Sequence, residues 1–286
     1  MSQLPPEVHH LIELALSEDQ TFSDPTTGLL VPPELQATGL IRAKAHGVLA
    51  GVAVALEVFR RVDPELETRA LLADGDKLVP GAAAARIYGS AGSILRGERI
   101  ALNFVQRMSG IATETARYVQ AVQGCRARIV DTRKTVPGHR FLDKYAVRMG
   151  GGHNHRMNLA DGILIKDNHI AALASQELGL GGVVRLALEK APHTIKVEVE
   201  AETLEQVQEA VDAGAPVIML DNMAVEQMRR AVRLINGRAV VEASGGITLD
   251  TVRAVAETGV DIISIGGLTH SPKALDLSLD LEFAAA

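Results

Sequence analysis

The second half of the chain alternates short apolar runs with amphipathic segments, and this alternation constrains the fold more than any other feature. Six apolar runs from Arg128 onward are typical of buried strands. They are RIVDT, GILIKD, TIKVEVE, PVIMLDN, AVVEASGG and VDIISIGG. Between the later runs lie three predicted helices, each followed by a glycine stop at Gly214, Gly237 or Gly259. Strands that alternate with helices are parallel strands joined by crossovers. We therefore expect an α/β barrel with fewer than eight strands, and a doubly wound sheet is the second interpretation.

The first hundred residues have a different texture. Residues 5–19, PPEVHHLIELALSED, have apolar residues three and four positions apart and predict a helix. Short pieces punctuated by glycine follow, which are typical of strands and tight turns. A long helical pattern then begins near Ser93, and we expect Gly110 to bend or divide it.

Composition excludes several classes of protein. The 286 residues are 47% hydrophobic and 22% charged, as in a soluble globular protein. No apolar run approaches the roughly 18 residues of a membrane span. The N-terminus lacks a basic segment followed by an apolar core, so we expect no secretory signal and a cytoplasmic location. The single cysteine, Cys125, excludes an internal disulfide, and the net charge of -6 argues against a general nucleic-acid surface.

Each apolar run ends in polar residues or glycines, and the carboxyl ends of such strands meet on one face of the fold. The basic residues at these ends are Arg133, Lys134, Arg156 and Lys166, with His155 beside Arg156. Arginine offers a planar fork that matches a carboxylate, whereas lysine offers a compact point charge. Four cations at one rim would repel each other, so they predict a ligand with several negative charges.

Acidic residues and glycines follow the later strands. Glu200 and Asp221 end consecutive strands, and such carboxylates can hold Mg²⁺ that is shared with substrate phosphates. Glu198 points to the same face as Glu200, and spacing does not decide which of them reaches the ligand. The turns ASGGIT, which we expect to open a helix, and SIGGLTHS are suited to binding phosphate. The cations require a ligand with several negative charges, the carboxylates a Mg²⁺ complex and the glycine turns a phosphate. Phosphoribosyl pyrophosphate fits all three requirements. The surplus of cations predicts a second substrate that bears carboxylates.

Seven stretches, in order from about residue 97 to 271, closely resemble the quinolinate phosphoribosyltransferase family. They are GERIALNFVQRMSGIAT, DTRKTVPGHR, KYAVRMGGGHNHRMNLADGILIKDNH, VEVEAETLEQ, IMLDNM, EASGGI and ETGVDIISIGGLTHS. The resemblance implies an enzyme of de novo NAD biosynthesis that converts quinolinate and phosphoribosyl pyrophosphate to nicotinate mononucleotide, pyrophosphate and CO2, with Mg²⁺. It also implies an N-terminal α/β sandwich domain at residues 1–108, joined by the tail 272–286, and an α/β barrel domain at 109–271.

The resemblance further implies a role for each matched position. Arg133, His155, Arg156 and Lys166 would hold the two carboxylates of quinolinate, and Lys134 would serve phosphoribosyl pyrophosphate. The implied catalytic residues are Lys134, Lys166, Glu200 and Asp221, of which the last two would also bind the metal. The implied substrate-binding residues are Arg99, Thr132, Arg133, Lys134, His155, Arg156, Lys166, Glu200, Asp221, Ser244, Gly245, Gly246, Ile265, Gly266 and Gly267. Arg99 matches an arginine that one subunit lends to its neighbour, which implies a homodimer or a dimer-based hexamer.

Two other functions compete with this interpretation. A related phosphoribosyltransferase could use nicotinate or another aromatic acid without decarboxylation, although the number of cations favours two carboxylates. A barrel homologue with a binding or transport-associated role would be expected to have lost matched site residues, and all of them are present.

Overall fold

The structure, a computed structural model, describes residues 4–173 and 178–283. It divides into two units, which are described separately. The first unit comprises Met1–Ala116, Thr135–Gly151 and Leu268–Ala286, and the second comprises Arg117–Lys134 and Gly152–Gly267. This division differs from the sequence-based one for residues 109–116, 135–151 and 268–271, which the sequence analysis assigns to the barrel domain.

The secondary structure of the described residues is as follows. The strands are β1 (Gln36–Ala43), β2 (Gly47–Val48), β3 (Glu67–Ala70), β4 (Lys77–Leu78), β5 (Ala83–Ser90), β6 (Arg128–Val130), β7 (Ile163–Ile165), β8 (Val197–Ala201), β9 (Val217–Asp221), β10 (Val240–Ser244), β11 (Ile262–Ser264) and β12 (Leu277–Phe283). The α-helices are α1 (Pro6–Glu18), α2 (Pro25–Leu30), α3 (Val52–Val62), α4 (Ala91–Ala121), α5 (Arg140–Met149), α6 (Asp167–Ala172), α7 (Leu180–Lys190), α8 (Leu204–Asp212), α9 (Val225–Ile235), α10 (Val252–Ala256) and α11 (Gly267–His270). None of these helices is long and apolar enough to cross a bilayer.

The first unit is built on an antiparallel sheet with the order β12-β1-β5-β3. Central strand β1 alternates buried and more exposed residues, which is the pattern of a sheet with one covered face. Helix α3 packs against β3 and β5, and α1 packs against α3. The buried side chains of Ile12, Phe59 and Ile87 belong to this core. The unit is therefore a helix layer on an antiparallel sheet, as the N-terminal sandwich prediction requires.

Helix α4 is continuous from Ala91 to Ala121, so Gly110 does not divide it, and a bend at Gly110 stays a prediction. The glycine instead permits a close approach of another segment. A Cβ on Gly110 would lie 2.1 Å from the carbonyl oxygen of Lys273. The predicted helix is confirmed, but the reason for the glycine depends on a segment more than 160 residues away in sequence.

The second unit contains one parallel sheet with the order β6-β11-β10-β9-β8-β7, and its strands are the six predicted ones. This order is a cyclic permutation of the order of the strands in the chain. A barrel that is interrupted between β6 and β7 has such an order, whereas a doubly wound sheet does not. No ladder joins β6 to β7 among the described residues. The free edge of β6 is met by an isolated parallel bridge from Val130 to His153. The sheet is thus an incomplete α/β barrel, as expected.

The helices between the later strands confirm the predicted periodicity. Helix α8 begins with a capping box, in which the Thr203 hydroxyl accepts the Gln206 N–H at 3.2 Å and the Gln206 side chain accepts the Thr203 N–H at 3.3 Å. Helix α9 ends at Asn236, whose φ of 46° is left-handed. Helix α10 is shorter than its predicted segment, since only five residues are helical. These crossovers carry the chain back so that the strands run parallel and end on one face.

Candidate active site

The carboxyl ends of β6 to β11 surround a cavity of about 570 Å³ in the second unit. Most of the predicted site residues line it: Thr132, Arg133, Lys134, His155, Arg156, Lys166, Glu200, Asp221, Ser244, Gly245 and Gly246. The cavity is also lined by residues that sequence analysis did not assign to the site: Leu164, Met219, Asn222, Glu242 and Ser264. The tertiary structure therefore brings the predicted cations, acids and glycines together, and the role of each one stays a prediction.

Four predicted residues do not line this cavity. Ile265 is buried, and its N–H donates to the carbonyl of Val130 at 3.0 Å. Gly266 adjoins it, and Gly267 begins helix α11. Arg99 lies exposed on helix α4 in the first unit.

The glycine turns differ from the prediction in one respect. The turn ASGGIT was expected to open a helix, but helix α10 begins only at Val252, several residues later. The expectation was wrong because the residues after Gly246 form turns before the helix starts. The second glycine pair does open a helix, at Gly267.

Gly245 holds two strand-end loops close together. Its φ is +92°, which is unfavourable for a side chain, and a Cβ there would lie 2.2 Å from Oδ1 of Asn222. Asn222 itself has φ of 53°, and its N–H donates to the Ser244 carbonyl at 3.0 Å. The backbone of Gly245 in the loop after β10 therefore packs against the Asn222 side chain in the loop after β9. Only a glycine fits at position 245.

Asp131 explains how strand β6 can end beside two cations. Its side chain is fully buried. One carboxylate oxygen accepts the His155 N–H at 2.9 Å, and the other accepts the Asn154 amide at 2.6 Å. Asp131 thus fixes the segment that carries His155 and Arg156 to the end of the strand that carries Arg133 and Lys134.

The two arginines of the cavity lie within electrostatic range of each other. Burial lowers the pKa of Arg156, and the positive charge of Arg133 lowers it further. The carboxylates of Glu198 and Glu200 oppose this shift. The Arg156 guanidinium also donates to the carbonyl of Gly162 at 2.9 Å, which fixes its direction. A bound anion would relieve the repulsion between the two guanidinium groups.

Lys166 and Glu200 form an ion pair across the ends of β7 and β8. The lysine side chain is 44% exposed, whereas that of Glu200 is 15% exposed. The Lys166 backbone N–H donates to Nδ1 of His169 at 2.9 Å, so the start of helix α6 also holds this residue. The pair places one cation and one carboxylate at the same point of the cavity wall.

Glu200 and Asp221 have the chemistry of a Mg²⁺ site. Glu200 pairs in register with Met219, so Asp221 follows two residues later and points to the same face of the neighbouring strand. One Asp221 oxygen accepts the Asn222 amide at 2.9 Å. Mg²⁺ is commonly held by one or two carboxylates together with waters and substrate phosphates. Two carboxylates on the wall of an open cavity fit that pattern.

A buried cluster lies beside the cavity. Nε2 of His155 is 3.3 Å from a Glu198 oxygen and 3.5 Å from a Glu242 oxygen. Glu198 is 8% exposed and Glu242 is 1% exposed. Of the two glutamates of β8, Glu200 lines the cavity and Glu198 contacts His155. Glu242 was missed, although a glutamate inside a buried strand, two residues before Ser244, was a usable signal.

The cluster holds its proton on Nε2 of His155. Burial lowers the pKa of His155, but the hydrogen bonds and charges of Glu198 and Glu242 outweigh it and raise the pKa to about 10. That pKa favours a ring protonated on both nitrogens, whereas Nδ1 accepts the Arg156 N–H at 2.8 Å. The hydrogen bond from the Arg156 N–H excludes a proton on Nδ1, because two N–H groups cannot donate to each other. The ring therefore carries its proton on Nε2.

The same three residues could hold a metal ion by distance alone, since one ligand atom from each lies within 4.8 Å of the others. The hydrogen bond from the Arg156 N–H argues against that use. Because Nδ1 accepts that hydrogen bond, the ring proton is on Nε2. There it lies between Nε2 and the two carboxylates, which are the atoms that would have to bind the metal. The cluster is a hydrogen-bonded one.

Comparisons with known proteins agree with this arrangement. The model of the quinolinate phosphoribosyl transferase C-terminal domain matches residues 111–280, and that of the N-terminal domain matches residues 24–109. A Bacillus subtilis protein named probable nicotinate-nucleotide pyrophosphorylase (carboxylating) is 47% identical over 241 residues, covering 84% of this chain and 82% of that protein. A Nicotiana tabacum protein named quinolinate phosphoribosyltransferase (decarboxylating) 2b, mitochondrial, is 43% identical over 96% of this chain and 82% of its own length. The crystal structure of NadC from Streptococcus pyogenes has a TM-score of 0.92 and 42% identity, with 99% of each chain covered. The chain therefore belongs to the quinolinate phosphoribosyltransferase family.

Proposed function

We propose that this protein transfers the phosphoribosyl group of phosphoribosyl pyrophosphate to quinolinate with loss of CO2. The products are nicotinate mononucleotide and pyrophosphate, in de novo NAD biosynthesis. The observation that carries the proposal is the cavity of the second unit, which gathers four cations, three carboxylates and a glycine turn at the ends of parallel strands. The names of the Bacillus subtilis and tobacco relatives support the same reaction.

The cations of the cavity divide between the two substrates. Arg133 and Arg156 provide planar forks for the two carboxylates of quinolinate, with Lys166 and His155 on the same wall. Lys134 is exposed at the rim and serves the phosphates. Ser244, Gly245 and Gly246 offer backbone groups to the 5′-phosphate, because a turn without side chains lets the ligand approach closely.

Glu200 and Asp221 would hold the Mg²⁺ that accompanies phosphoribosyl pyrophosphate. When bound, this ion neutralises the negative charge that develops on the leaving pyrophosphate. In this arrangement the same two carboxylates would also face the ribose, and their negative charge would stabilise the positive charge that its C1′ acquires. The ion pair of Lys166 with Glu200 keeps the carboxylate compensated before substrates bind.

The chemistry requires positioning more than proton transfer. The pyridine nitrogen of quinolinate forms a bond to C1′ of the ribose, and the C1′–O bond breaks with its electron pair going to pyrophosphate. The resulting pyridinium stabilises the carbanion that forms when the adjacent carboxylate leaves as CO2, and that carbanion takes up a proton from water. The arginines hold the ring so that its nitrogen faces C1′, and such positioning lowers the barrier to bond formation.

The proposal includes the assembly and location of the protein. A homodimer, or a hexamer built from dimers, would let Arg99 enter the active site of the neighbouring subunit. This is supported by the exposure of Arg99 on helix α4 and by its match to the family pattern. The expected cytoplasmic location stays a prediction.

Turnover with each candidate substrate alone tests the proposal. The purified protein, Mg²⁺ and phosphoribosyl pyrophosphate are incubated with quinolinate or with nicotinate. Release of CO2 and nicotinate mononucleotide from quinolinate, with no product from nicotinate, is the expected result. Product from nicotinate alone would identify the non-decarboxylating alternative. Binding of both substrates without turnover would favour the non-enzymatic homologue.

A further inference from the structure

Two glutamates occupy the interior of the barrel, where apolar side chains are usual. The inside of an α/β barrel is typically filled by Val, Ile and Leu. Glu242 has only 1% of its surface exposed, and Glu198 has 8%. In each of them the Oε1 atom has no hydrogen-bond partner among the described residues. Buried charges of this kind cost several kcal/mol unless they are paired, so stability alone does not explain them.

Both glutamates converge on one side chain. Their Oε2 atoms lie 3.3 Å and 3.5 Å from Nε2 of His155, and the Arg156 N–H lies 2.8 Å from Nδ1 of the same ring. The ring is thus held at both nitrogens. Its orientation, its tautomer and the backbone position of the next residue are fixed by one set of contacts.

These contacts link the buried glutamates to Arg156, which lies on the wall of the cavity. The Arg156 backbone is held by the His155 ring, and the Arg156 guanidinium is held by the Gly162 carbonyl at 2.9 Å. Asp131 holds the His155 N–H from the other side at 2.9 Å. A shift of the His155 ring would therefore move the arginine that faces the substrate carboxylates.

We propose that Glu198 and Glu242 are positioning residues for quinolinate, acting through His155 on Arg156. The inference rests on the proposed function and adds two residues that the sequence did not assign to it. Neither glutamate needs to touch the substrate. Their role is to accept a hydrogen bond from the Nε2–H group. The ring then keeps the tautomer whose Nδ1 accepts a hydrogen bond from the Arg156 N–H.

Kinetics of Glu242 variants test the proposal in the full-length protein. Glu242→Leu removes the acceptor while keeping a buried side chain of similar size. We expect the KM for quinolinate to rise about tenfold or more, the KM for phosphoribosyl pyrophosphate to stay unchanged and the unfolding temperature not to fall. Glu242→Gln keeps an oxygen acceptor and should restore most of the affinity. Equal increases in both KM values, or no increase, would overturn the inference.

A double variant shows whether Glu242 acts through His155. In the His155→Ala background, Glu242→Leu should have no further effect on the quinolinate KM, whereas independent effects would add. Val241→Ala is the matched control, because Val241 is buried on the same strand but points to the opposite face. It should lower the unfolding temperature and leave both KM values unchanged.

The state of the ring gives a readout that does not depend on turnover. In ¹⁵N-labelled protein, the His155 ring signals are identified by their loss in His155→Ala. We expect the proton on Nε2 and a change of the Nε2 signal in Glu242→Leu. A proton on Nδ1 would overturn the inference even if the enzyme is active. A wild-type protein that does not turn over quinolinate would instead refute the proposed function.

Discussion

Charged side chains line the cavity, and their charges act on one another. The positive charge of Arg133 lowers the pKa of Arg156, so the two guanidinium groups repel each other. Glu200 is already paired with Lys166. A dianion with two carboxylates would compensate both arginines, because each guanidinium can bind one carboxylate through two parallel hydrogen bonds.

Substitution of Arg133 tests this balance. Arg133→Ala should raise the KM for quinolinate by about 10- to 100-fold, because a hydrogen-bonded charge contributes about 1.5 to 3 kcal/mol. The free energy of unfolding should change by less than about 1 kcal/mol, since Arg133 lies on the cavity wall.

Arg126→Ala is the matched control for this substitution. Arg126 precedes the same strand at its other end and pairs with Asp261, so the change in charge is the same but lies away from the cavity. Steady-state kinetics with both substrates and urea unfolding provide the measurements. A quinolinate KM that Arg133→Ala leaves at the wild-type value would remove Arg133 from the proposed site.

Helix α4 shows how an element is shaped by what packs against it. Two backbone segments approach it so closely that no side chain fits between. A Cβ on Gly110 would lie 2.1 Å from the Lys273 carbonyl, and one on Gly150 would lie 2.3 Å from the Ala112 carbonyl. The same helix is tied to α5 by Arg107, which donates to both oxygens of the buried Asp143 at 3.1 Å and 2.9 Å. Backbone contact and a bidentate ion pair therefore fix this helix within the first unit.

The glycine at position 110 gives a prediction with an internal contrast. Gly110→Ala should destabilise the protein by about 1 to 3 kcal/mol or more, because the Lys273 backbone must move to make room. Gly28 also lies inside a helix, but nothing lies within 4 Å of a Cβ placed there. Gly28→Ala should therefore stabilise by about 0.4 to 1 kcal/mol through the unfolded chain.

Urea unfolding of the two glycine variants beside the wild type measures this difference. Alanine favours helices at both positions, so helix propensity predicts the same sign for both. If Gly110→Ala were as stable as the wild type, the close packing of Lys273 on α4 would be wrong.

At the scale of the whole molecule, the proposal requires two chains for one site. Arg99 belongs to the first unit and Lys166 to the second. If Arg99 serves the neighbouring subunit, then Arg99→Ala and Lys166→Ala should each be inactive alone. A heterodimer of the two variants should regain one of its two sites, because one site then receives both wild-type residues.

Mixed dimers purified with two different affinity tags make this measurement. A heterodimer of Lys166→Ala with Glu200→Ala is the control, since both substitutions fall in the cavity of their own chain and no complete site can form. Activity in the first heterodimer and none in the second is expected. An inactive first heterodimer, verified to be mixed, would contradict the shared site.

How far the sequence could predict the site depends on the kind of contact involved. Arg133, Lys166, Glu200 and Asp221 could be placed together from sequence because parallel strands end on one face, whatever the details of packing. Glu242 carries a local signal, as a glutamate inside a buried strand, but its pairing with His155 could not be predicted because the two residues are nearly ninety positions apart. The close approach of Lys273 to Gly110 could not be predicted either, because the two residues are far apart in sequence.

The sequence by itself determined the six parallel strands, their crossover helices and the charges at the strand ends, because apolar periodicity and helix stops act over short ranges. Only the tertiary structure decided which glutamate faces the cavity, which side chains hold His155 and where the barrel is interrupted. Those features depend on distances between segments far apart in the chain, and strand alternation alone gives Glu198 and Glu200 the same face. The two glutamates differ in their contacts, since Glu198 lies against His155 and Glu200 against Lys166.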